Sequence, residues 1–310
     1  MRATPLGLSA AVAGLLLLTA CGDQRPGSSH RSDSPGCGPT LSSQATGSQS
    51  ASGAASQKSD DAASRQPSGE ETGGVSITDP GGGSRGCAVF RVTNREAEPF
   101  TYTITFKLRS GSGAAPELRT RIVPSVQPGR TVTGTVDFSS DLPEASAWSG
   151  VEIMKVRSVP VDEAPVEGGP CPSSGVRLYA DQGDAAMGLR VVTLHLENCG
   201  TRTYRLDGYP RVSPLGEDHK VIDAVRVLRD GSSVAMSTGA DGPPRPLALK
   251  PGDRAYAGLV WRNTVLSGTP VNAPYVRVWA KPGAHPVMVT PELDLGTTAK
   301  LAVGPWKKGA

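Results

Sequence analysis

The sequence predicts an all-β protein: two tandem Ig-like antiparallel β-sandwich domains that follow a disordered tether. Apolar and polar residues alternate with period two in several segments, which is typical of strands with one buried face. The 310 residues include 38 Gly and 27 Pro, enough to separate many short strands by turns. No segment between residues 75 and 163 shows a convincing helical period of apolar residues.

Residues 1–20 are predicted to be a lipoprotein signal peptide. Arg2 gives an early positive charge, an apolar run extends from Leu6 to Leu18, and small residues precede Cys21. The run Leu18-Thr19-Ala20-Cys21 resembles a bacterial lipobox, which implies cleavage before Cys21 and a diacyl lipid on its thiol. The alternatives are a plain secretory signal and a single transmembrane anchor, although the apolar run is short of the roughly 20 residues a span needs. We expect a protein lipid-anchored on the extracytoplasmic face of the cell membrane.

Residues 21–74 are predicted to be the lipidated cysteine and a disordered tether. Ser, Gly, Ala, Gln and Asp dominate, and large apolar residues are almost absent, so this stretch cannot bury enough surface to offset its ordering entropy. A Gly/Ser-rich chain of this length has a typical end-to-end distance of about 40 Å. The tether would lift the rest of the chain from the lipid toward the wall.

Residues 75–163 are predicted to form the first Ig-like sandwich. The apolar positions of the clearest strand are Tyr102, Ile104, Phe106 and Leu108, each separated by a polar residue. A second alternating segment places Val132, Val136 and Phe138 on one face. The candidate strands are 87–94, 100–109, 119–126, 130–139 and 150–160.

Residues 171–306 are predicted to form a second β-sandwich after a linker at 164–170. The candidate strands are Leu189–Asn198, Thr203–Leu206, Val221–Leu228, Arg254–Arg262, Tyr275–Lys281, Pro286–Thr290 and Lys300–Val303. The Gly/Pro-rich stretch 229–246 is predicted to be an irregular loop, and the alternatives are a loop that carries binding residues and a disordered surface connection.

The two halves share a pattern of turns. In each, one strand ends in an asparagine, Asn94 or Asn198, and a later Pro-Gly turn precedes a long strand. These turns are Pro128-Gly129 and Pro251-Gly252, and the dipeptide suits a type II turn.

The five cysteines fit an exported protein. If Cys21 carries lipid, four remain, and an oxidising compartment allows them to pair. Three connectivities are possible, of which Cys171 with Cys199 and Cys37 with Cys87 are favoured because each pair is close in the chain. The spacings are not C-x-x-C, so we predict no metal site.

Charge excludes one class of partner. The formal net charge is +3, and residues 171–310 carry 17 Lys and Arg against 12 Asp and Glu. This mild excess is compatible with weak attraction to anionic lipid or wall polymer, or with a dispersed solvated surface. Because no Lys/Arg block is interleaved with aromatic residues, nucleic acid is not an expected partner.

Several short motifs in the C-terminal half occur in a recognisable order. They are Ala186-Met187-Gly188-Leu189-Arg190, Asn198-Cys199-Gly200-Thr201, Gly208-Tyr209-Pro210, Leu249-Lys250-Pro251-Gly252, Trp261-Arg262-Asn263-Thr264, Asn272-Ala273-Pro274-Tyr275, Asp294-Leu295-Gly296-Thr297 and Trp306. Together they resemble the actinobacterial domain of unknown function 4232 family, found in exported proteins and lipoproteins. In commoner members the second cysteine lies just before the Gly-Tyr-Pro segment, whereas in this chain it lies earlier, at Cys199. The resemblance implies no catalytic residue.

The search for catalytic motifs predicts a protein that is not an enzyme. There is no G-x-S-x-G, H-E-x-x-H, Walker loop or G-x-G-x-x-G after a strand, and no cofactor is implied. The histidines are His30, His195, His219 and His285. A Ser/His/Asp set assembled in space stays open, so the alternative is a cell-wall-active enzyme or enzyme accessory with a dispersed site.

The candidate binding face is Tyr275, Arg277 and Trp279. Alternation places these three residues on one face of a strand and Val276 and Val278 on the other. If the valines face the core, two aromatic rings flank a guanidinium and could stack on sugars or bind an anion. If the aromatics face inward, they are sandwich core, and a core or partly covered position is favoured.

The expected partners follow from these features. They are the membrane, through the N-terminal lipid, and a cell-wall polymer or another exported protein. A further alternative is a pair of spacer domains without any ligand.

Overall fold

The structure, a computed structural model, describes residues 41–44, 71–80, 87–110, 115–138 and 148–309. These residues confirm the all-β class, because helix within them is confined to two three-residue 3-10 turns, at Val161–Glu163 and Gly231–Ser233. None of the described residues belongs to a helix long and apolar enough to cross a membrane.

The strands of the N-terminal half are β1 (Leu41–Gln44), β2 (Val75–Asp79), β3 (Cys87–Thr93), β4 (Phe100–Ser110), β5 (Glu117–Val126), β6 (Thr131–Asp137) and β7 (Trp148–Pro160). The strands of the C-terminal half are β8 (Val176–Ala180), β9 (Asp184–Ala186), β10 (Leu189–Asn198), β11 (Tyr204–Leu206), β12 (Arg211–Leu215), β13 (Arg226–Arg229), β14 (Leu247–Leu249), β15 (Arg254–Arg262), β16 (Asn272–Ala273), β17 (Tyr275–Trp279), β18 (Val287–Val289), β19 (Leu293–Asp294), β20 (Lys300–Val303) and β21 (Lys307–Lys308).

The N-terminal strands form two antiparallel sheets, of order β1-β6-β3-β2 and β5-β4-β7, that share one apolar core. We call this unit the first sandwich. The alternation predicted for β4 is confirmed, since the four apolar side chains of the predicted pattern are all buried. Phe90 and Phe106 meet across the core with ring centroids 4.9 Å apart. Gly134 makes room for this pair, because a Cβ atom there would lie 2.6 Å from the Phe90 ring.

The C-terminal strands form the second sandwich. One layer is a seven-stranded sheet of order β13-β20-β15-β10-β8, with β21 beside β15 and β9 beside β10. Shorter sheets, β12-β17-β18, β11-β14 and β16-β19, provide the other strands around the core. Trp306 closes this core at the C-terminal end, where its indole N–H donates to the Ala280 carbonyl at 2.8 Å. Of these strand pairs, β13–β20 is parallel.

Two details of the strand predictions are corrected. Val221–Leu228 is not one strand, because a turn at Ile222 to Val225 interrupts it and only Arg226–Arg229 pairs as a strand. β12 was missed because Pro214 lies inside it. Proline is tolerated there because β12 is an edge strand of its sheet.

The disulfide predictions fall partly within the described residues. Cys171 and Cys199 form a disulfide, with Cα atoms 5.6 Å apart, so that pairing is confirmed. Cys87 is disulfide-bonded, while Cys37, its predicted partner, lies outside the described residues. Cys21, the signal peptide and most of the tether also lie outside them. The described part of the predicted tether departs from the expected disorder at Leu41–Gln44, which forms β1 and pairs with β6.

A buried asparagine organises one end of the first sandwich. The Asn94 side-chain amide donates to the carbonyls of Glu98 and Val126, both at 2.8 Å. Its Oδ1 accepts from the Glu96 backbone N–H at 2.9 Å, and its backbone carbonyl accepts from Gly129. The residue thereby ties the end of β3 to the end of β5 and to the Pro-Gly turn.

The second sandwich repeats this arrangement with Asn198. Its amide donates to the carbonyls of Arg202 and Leu249, both at 2.8 Å, and its Oδ1 accepts from the Gly200 N–H at 3.2 Å. Its backbone carbonyl accepts from Gly252, in the second Pro-Gly turn. The turn pattern shared by the two halves of the sequence is therefore a shared hydrogen-bonding motif.

Asn198→Ala is expected to lower the free energy of unfolding by about 2–4 kcal/mol. The change leaves two carbonyls and one N–H without their partner in a buried place, and each orphaned group costs about 1–3 kcal/mol. Chemical denaturation of the variant measures this loss. Asn272→Ala is the control, because Asn272 is exposed. Equal midpoints for the two variants would contradict the anchoring role of Asn198.

The loop predicted at 229–246 packs against the seven-stranded sheet and covers part of its outer face. Ala240 is fully buried, and with Val234 it covers an apolar strip of the seven-stranded sheet that includes Val260 and Ala302. Three glycines form the socket for the Ala240 methyl group. A Cβ atom at Gly231, Gly258 or Gly304 would lie 2.6–2.7 Å from Ala240.

Gly258→Ala is expected to destabilise the protein by about 1–3 kcal/mol, because the added methyl would collide with Ala240 in a filled socket. Thermal or chemical unfolding measures the effect. Gly168→Ala adds the same methyl in open space and is the matched control. The socket is refuted if both variants unfold like the parent chain.

Candidate binding groove

The predicted binding strand β17 turns its valines to the core and its other residues outward. Val276 and Val278 are fully buried in the second core, so Tyr275, Arg277 and Trp279 share the opposite face of the sheet. The first sandwich covers much of that face. Tyr275 is only 2% exposed, and its hydroxyl accepts from the Ser158 N–H at 3.1 Å.

An ion-pair cluster fixes this contact between the sandwiches. Arg157 of β7 binds Glu292 in a bidentate manner, with both N–O distances 2.7 Å, and reaches Glu217 at 3.1 Å. Arg277 makes a further pair with Glu163 at 2.7 Å. Bidentate arginine–carboxylate pairs are strong and directional, so they set one geometry for the two sandwiches.

Aromatic residues complete the contact. The imidazole of His219 stacks on Phe100, with centroids 5.4 Å apart, and meets Tyr275 edge-on at 4.6 Å. Its Nε2 lies 2.9 Å from the Ser158 carbonyl oxygen. Tyr275 and Arg277 are therefore engaged within the chain.

Trp279, the third predicted residue, lies beside a groove. Arg211 is its cross-strand neighbour on β12, and the guanidinium carbon lies 4.3 Å from the centre of the Trp279 ring. The groove has a volume of about 530 Å³ and runs between the edge strands β12 and β13. Its walls are formed by Tyr209, Pro210, Arg211, Val212, Val227, Leu228, Arg229, Trp279, Lys281, Pro282, Gly283 and Val303.

The groove has cations and no carboxylate. Arg211, Arg229 and Lys281 line it, and no ion pair joins any of them to an acidic residue in the described part of the chain. Each is instead close to an aromatic ring: Arg229 lies 5.8 Å from the Tyr209 ring and Lys281 lies 3.8 Å from the Tyr204 ring. Such contacts orient the cations and leave N–H donors free for a ligand.

A second cavity adjoins the groove. It has a volume of about 490 Å³, and Lys281 and Gly283 line both spaces. Its walls are mostly apolar and include Val161, Leu178 and Tyr204.

The structure contains one histidine–carboxylate pair outside the groove. His195 Nε2 lies 3.2 Å from Asp181 Oδ2, and the imidazole stacks on Tyr179. Burial raises the pKa of Asp181, but hydrogen bonds from Thr193 and His195 more than offset it and the pKa is lowered. Both side chains are more than a third exposed. In the described part of the chain, no serine or cysteine hydrogen-bonds to the His195 ring.

Residues from three motifs of the C-terminal half contact one another around the Asp294 carboxylate. The Trp261 indole N–H donates to Asp294 at 2.7 Å, and Asn263 donates to the same carboxylate at 3.0 Å. Arg190 lies 3.4 Å from it. Trp261 is buried, as its alternation with Ala255, Ala257 and Leu259 predicts.

Sequence reasoning found Trp279 but missed its cationic neighbours. Tyr209 belongs to the Gly208-Tyr209-Pro210 motif, while no motif or alternation in the sequence marks Arg211, Arg229 or Lys281. The strand pairing of Arg211 with Trp279 is the signal that would have linked them, and it required recognition of β12. No cluster of potential metal ligands occurs among the described residues.

Comparisons with known proteins match the second sandwich to a family and give no activity. Residues 171–307 match the family described as Domain of unknown function (DUF4232). No curated protein sequence matches the chain. Solved structures that align with it include a protein of Bacteroides fragilis assigned as a β-galactosidase, at 11% identity and a TM-score of 0.23, covering 66% of this chain and 32% of that one. Another is β-glucuronidase 2 of Bacteroides uniformis, at 7% identity and a TM-score of 0.25, covering 67% of this chain and 26% of that one. The chain therefore spans about a third or less of these proteins.

Proposed function

We propose that this protein is a lipid-anchored, extracytoplasmic binding protein without catalytic activity. Its ligand is an anionic, sugar-containing polymer of the cell envelope, held in the groove between β12 and β13. The observation that carries the proposal is the set of three cations beside aromatic rings, with no carboxylate lining the same groove.

The chemistry of the groove suits such a ligand. A guanidinium stacked on an aromatic ring keeps its edge N–H groups free, and these match the oxygens of a phosphate or carboxylate. The Trp279 ring is partly exposed and provides an apolar face for a sugar ring. Buried Val303 and Val212 form an apolar floor, so a bound anion would lie away from bulk water.

The ion pairs between the sandwiches support the binding role indirectly. They engage Tyr275 and Arg277, so the available part of the predicted face is Trp279 and the residues around it. A rigid pair of domains on an anchored tether would present this groove to the wall.

Trp279→Ala and Arg211→Gln are each expected to weaken binding of purified anionic wall polymer about tenfold. The first removes a stacking surface and the second a charge-assisted hydrogen bond, worth about 1.5–3 kcal/mol. Isothermal titration or co-sedimentation with the polymer measures the change. Arg202→Gln removes an exposed cation elsewhere on the second sandwich and is the matched control.

Two outcomes of this assay would contradict the groove. If Trp279→Ala and Arg211→Gln bind as tightly as Arg202→Gln, the ligand lies elsewhere. If the parent chain itself binds no envelope polymer, the sandwiches act as spacers.

Cys21→Ala is expected to release the mature protein from the membrane fraction. Without the thiol no diacyl lipid can be attached, and each acyl methylene contributes about 0.8 kcal/mol to anchoring. Cell fractionation followed by immunoblotting measures the distribution. Asn272→Ala, which changes an exposed residue and leaves the anchor and the Cys171–Cys199 disulfide intact, is the control. A Cys21→Ala chain that stays with the membrane would disprove lipid anchoring.

A further inference from the structure

One end of the second sandwich exposes three large apolar side chains on two adjacent loops. Met187 is fully exposed, and Val265 and Leu266 are 61% and 73% exposed. The loops are joined, because the Asn263 N–H donates to the Gly188 carbonyl at 3.0 Å. The apolar residues therefore lie at the same end of the sheet.

Met187 occupies an unfavourable backbone conformation. Met187 and Gly188 form the two-residue turn between β9 and β10, with φ values of 47° and 78°. Both positive angles indicate a type I′ turn, whose first position favours asparagine or aspartate. A left-handed methionine costs stability, and here its side chain gains no packing in return. A large apolar residue that costs stability and gains no packing at this turn indicates a role outside the fold.

A row of cations crosses the neighbouring strands at this end. Arg226 of β13 pairs in register with Lys300 of β20. The register of β15 with β20, continued by one residue, places Arg262 on the other side of Lys300. Paired positions point to the same face, so three positive side chains lie side by side.

This row lacks internal compensation. All three side chains are exposed, and none forms an ion pair with a carboxylate in the described part of the chain. Asp184 lies on the same face but one row further along, beyond β10. Like charges directly opposite each other destabilise a sheet, so an external anion bound to this row would relieve the repulsion among its three side chains.

We infer that this end of the second sandwich docks on an anionic lipid surface. The docking tip, as we call it, consists of Met187, Val265 and Leu266 with Arg226, Arg262 and Lys300. The apolar side chains insert between headgroups, and the cations contact the lipid phosphates. The apolar residues protrude from the surface, which fits a soft, deformable partner. This function is separate from ligand binding in the groove.

The test places a fluorescent reporter in the docking tip. The full-length chain carrying Leu266→Trp is reconstituted into vesicles whose acyl chains are brominated, with either anionic or zwitterionic headgroups. Bromine quenches indole fluorescence on contact, and the expected result is at least twofold greater quenching of the added tryptophan in anionic vesicles. Met236→Trp is the matched control, since Met236 is 77% exposed in the loop that follows β13.

Second changes in the Leu266→Trp chain separate docking from folding. Met187→Asn suits the type I′ turn better than methionine, so it should preserve the fold while reducing quenching at least twofold. Arg226→Gln and Lys300→Gln are each expected to weaken the anionic-vesicle response about fivefold, from roughly 1 kcal/mol per cation. Arg211→Gln, in the groove, should leave the response unchanged.

Two results would overturn the docking tip. One is equal quenching of Leu266→Trp and Met236→Trp in anionic vesicles, which would favour a protein partner for the tip. The other is quenching that stays the same after Met187→Asn and after both charge changes.

Discussion

Each sandwich depends on one buried side-chain amide. Asn94 and Asn198 are the two buried polar residues of the described cores, and each satisfies two carbonyls and one N–H at a strand end. A buried polar group is tolerated only if it is fully hydrogen-bonded, so each asparagine specifies one arrangement of the turns around it. That arrangement fixes the ends of the strands on which the apolar core is assembled. Tyr102 adds a hydroxyl contact to Asn94 at 3.3 Å, and burial raises the pKa of this tyrosine to about 12.

The sequence predicts strands well where alternation is long and poorly where strands are short. β10 and β15 have the predicted bounds, because each combines a buried apolar face with clear turn residues. β12 contains a proline and β13 has exposed apolar residues, so neither has a regular pattern. Both are edge strands, and the groove lies between them. Period two correctly separated Tyr275, Arg277 and Trp279 from the valines. It could not predict that another sandwich would cover part of that face, because the contact joins residues more than a hundred positions apart.

The first sandwich thus contributes to the binding face by limiting it. Arg157 pairs with Glu217 and Glu292, and Glu163 pairs with Arg277. The charged groups of Arg277, Glu217 and Glu292 are therefore not available to a ligand. What remains available is the region around Trp279, where cations outnumber acids. In our proposals this region and the docking tip are two positively charged surfaces of the second sandwich, one concave with aromatic rings and one convex with aliphatic side chains. Their different shapes fit different anionic partners, a polymer and a lipid surface.

The Ala240 socket has a consequence for how this chain can vary. Three glycines distant in sequence all face one methyl group, so their substitutions are energetically coupled to position 240 and are not additive. A glycine at 240 would remove the nearest contact at Gly231 and Gly258, whereas a Cβ atom at Gly304 would still lie 2.6–2.7 Å from the backbone of residue 240. The limit at Gly304 is therefore set by the path of the loop backbone, and the limits at Gly231 and Gly258 are set mainly by the side chain at position 240. The loop is irregular in backbone, yet its Ala240 is buried as completely as the residues of the core strands.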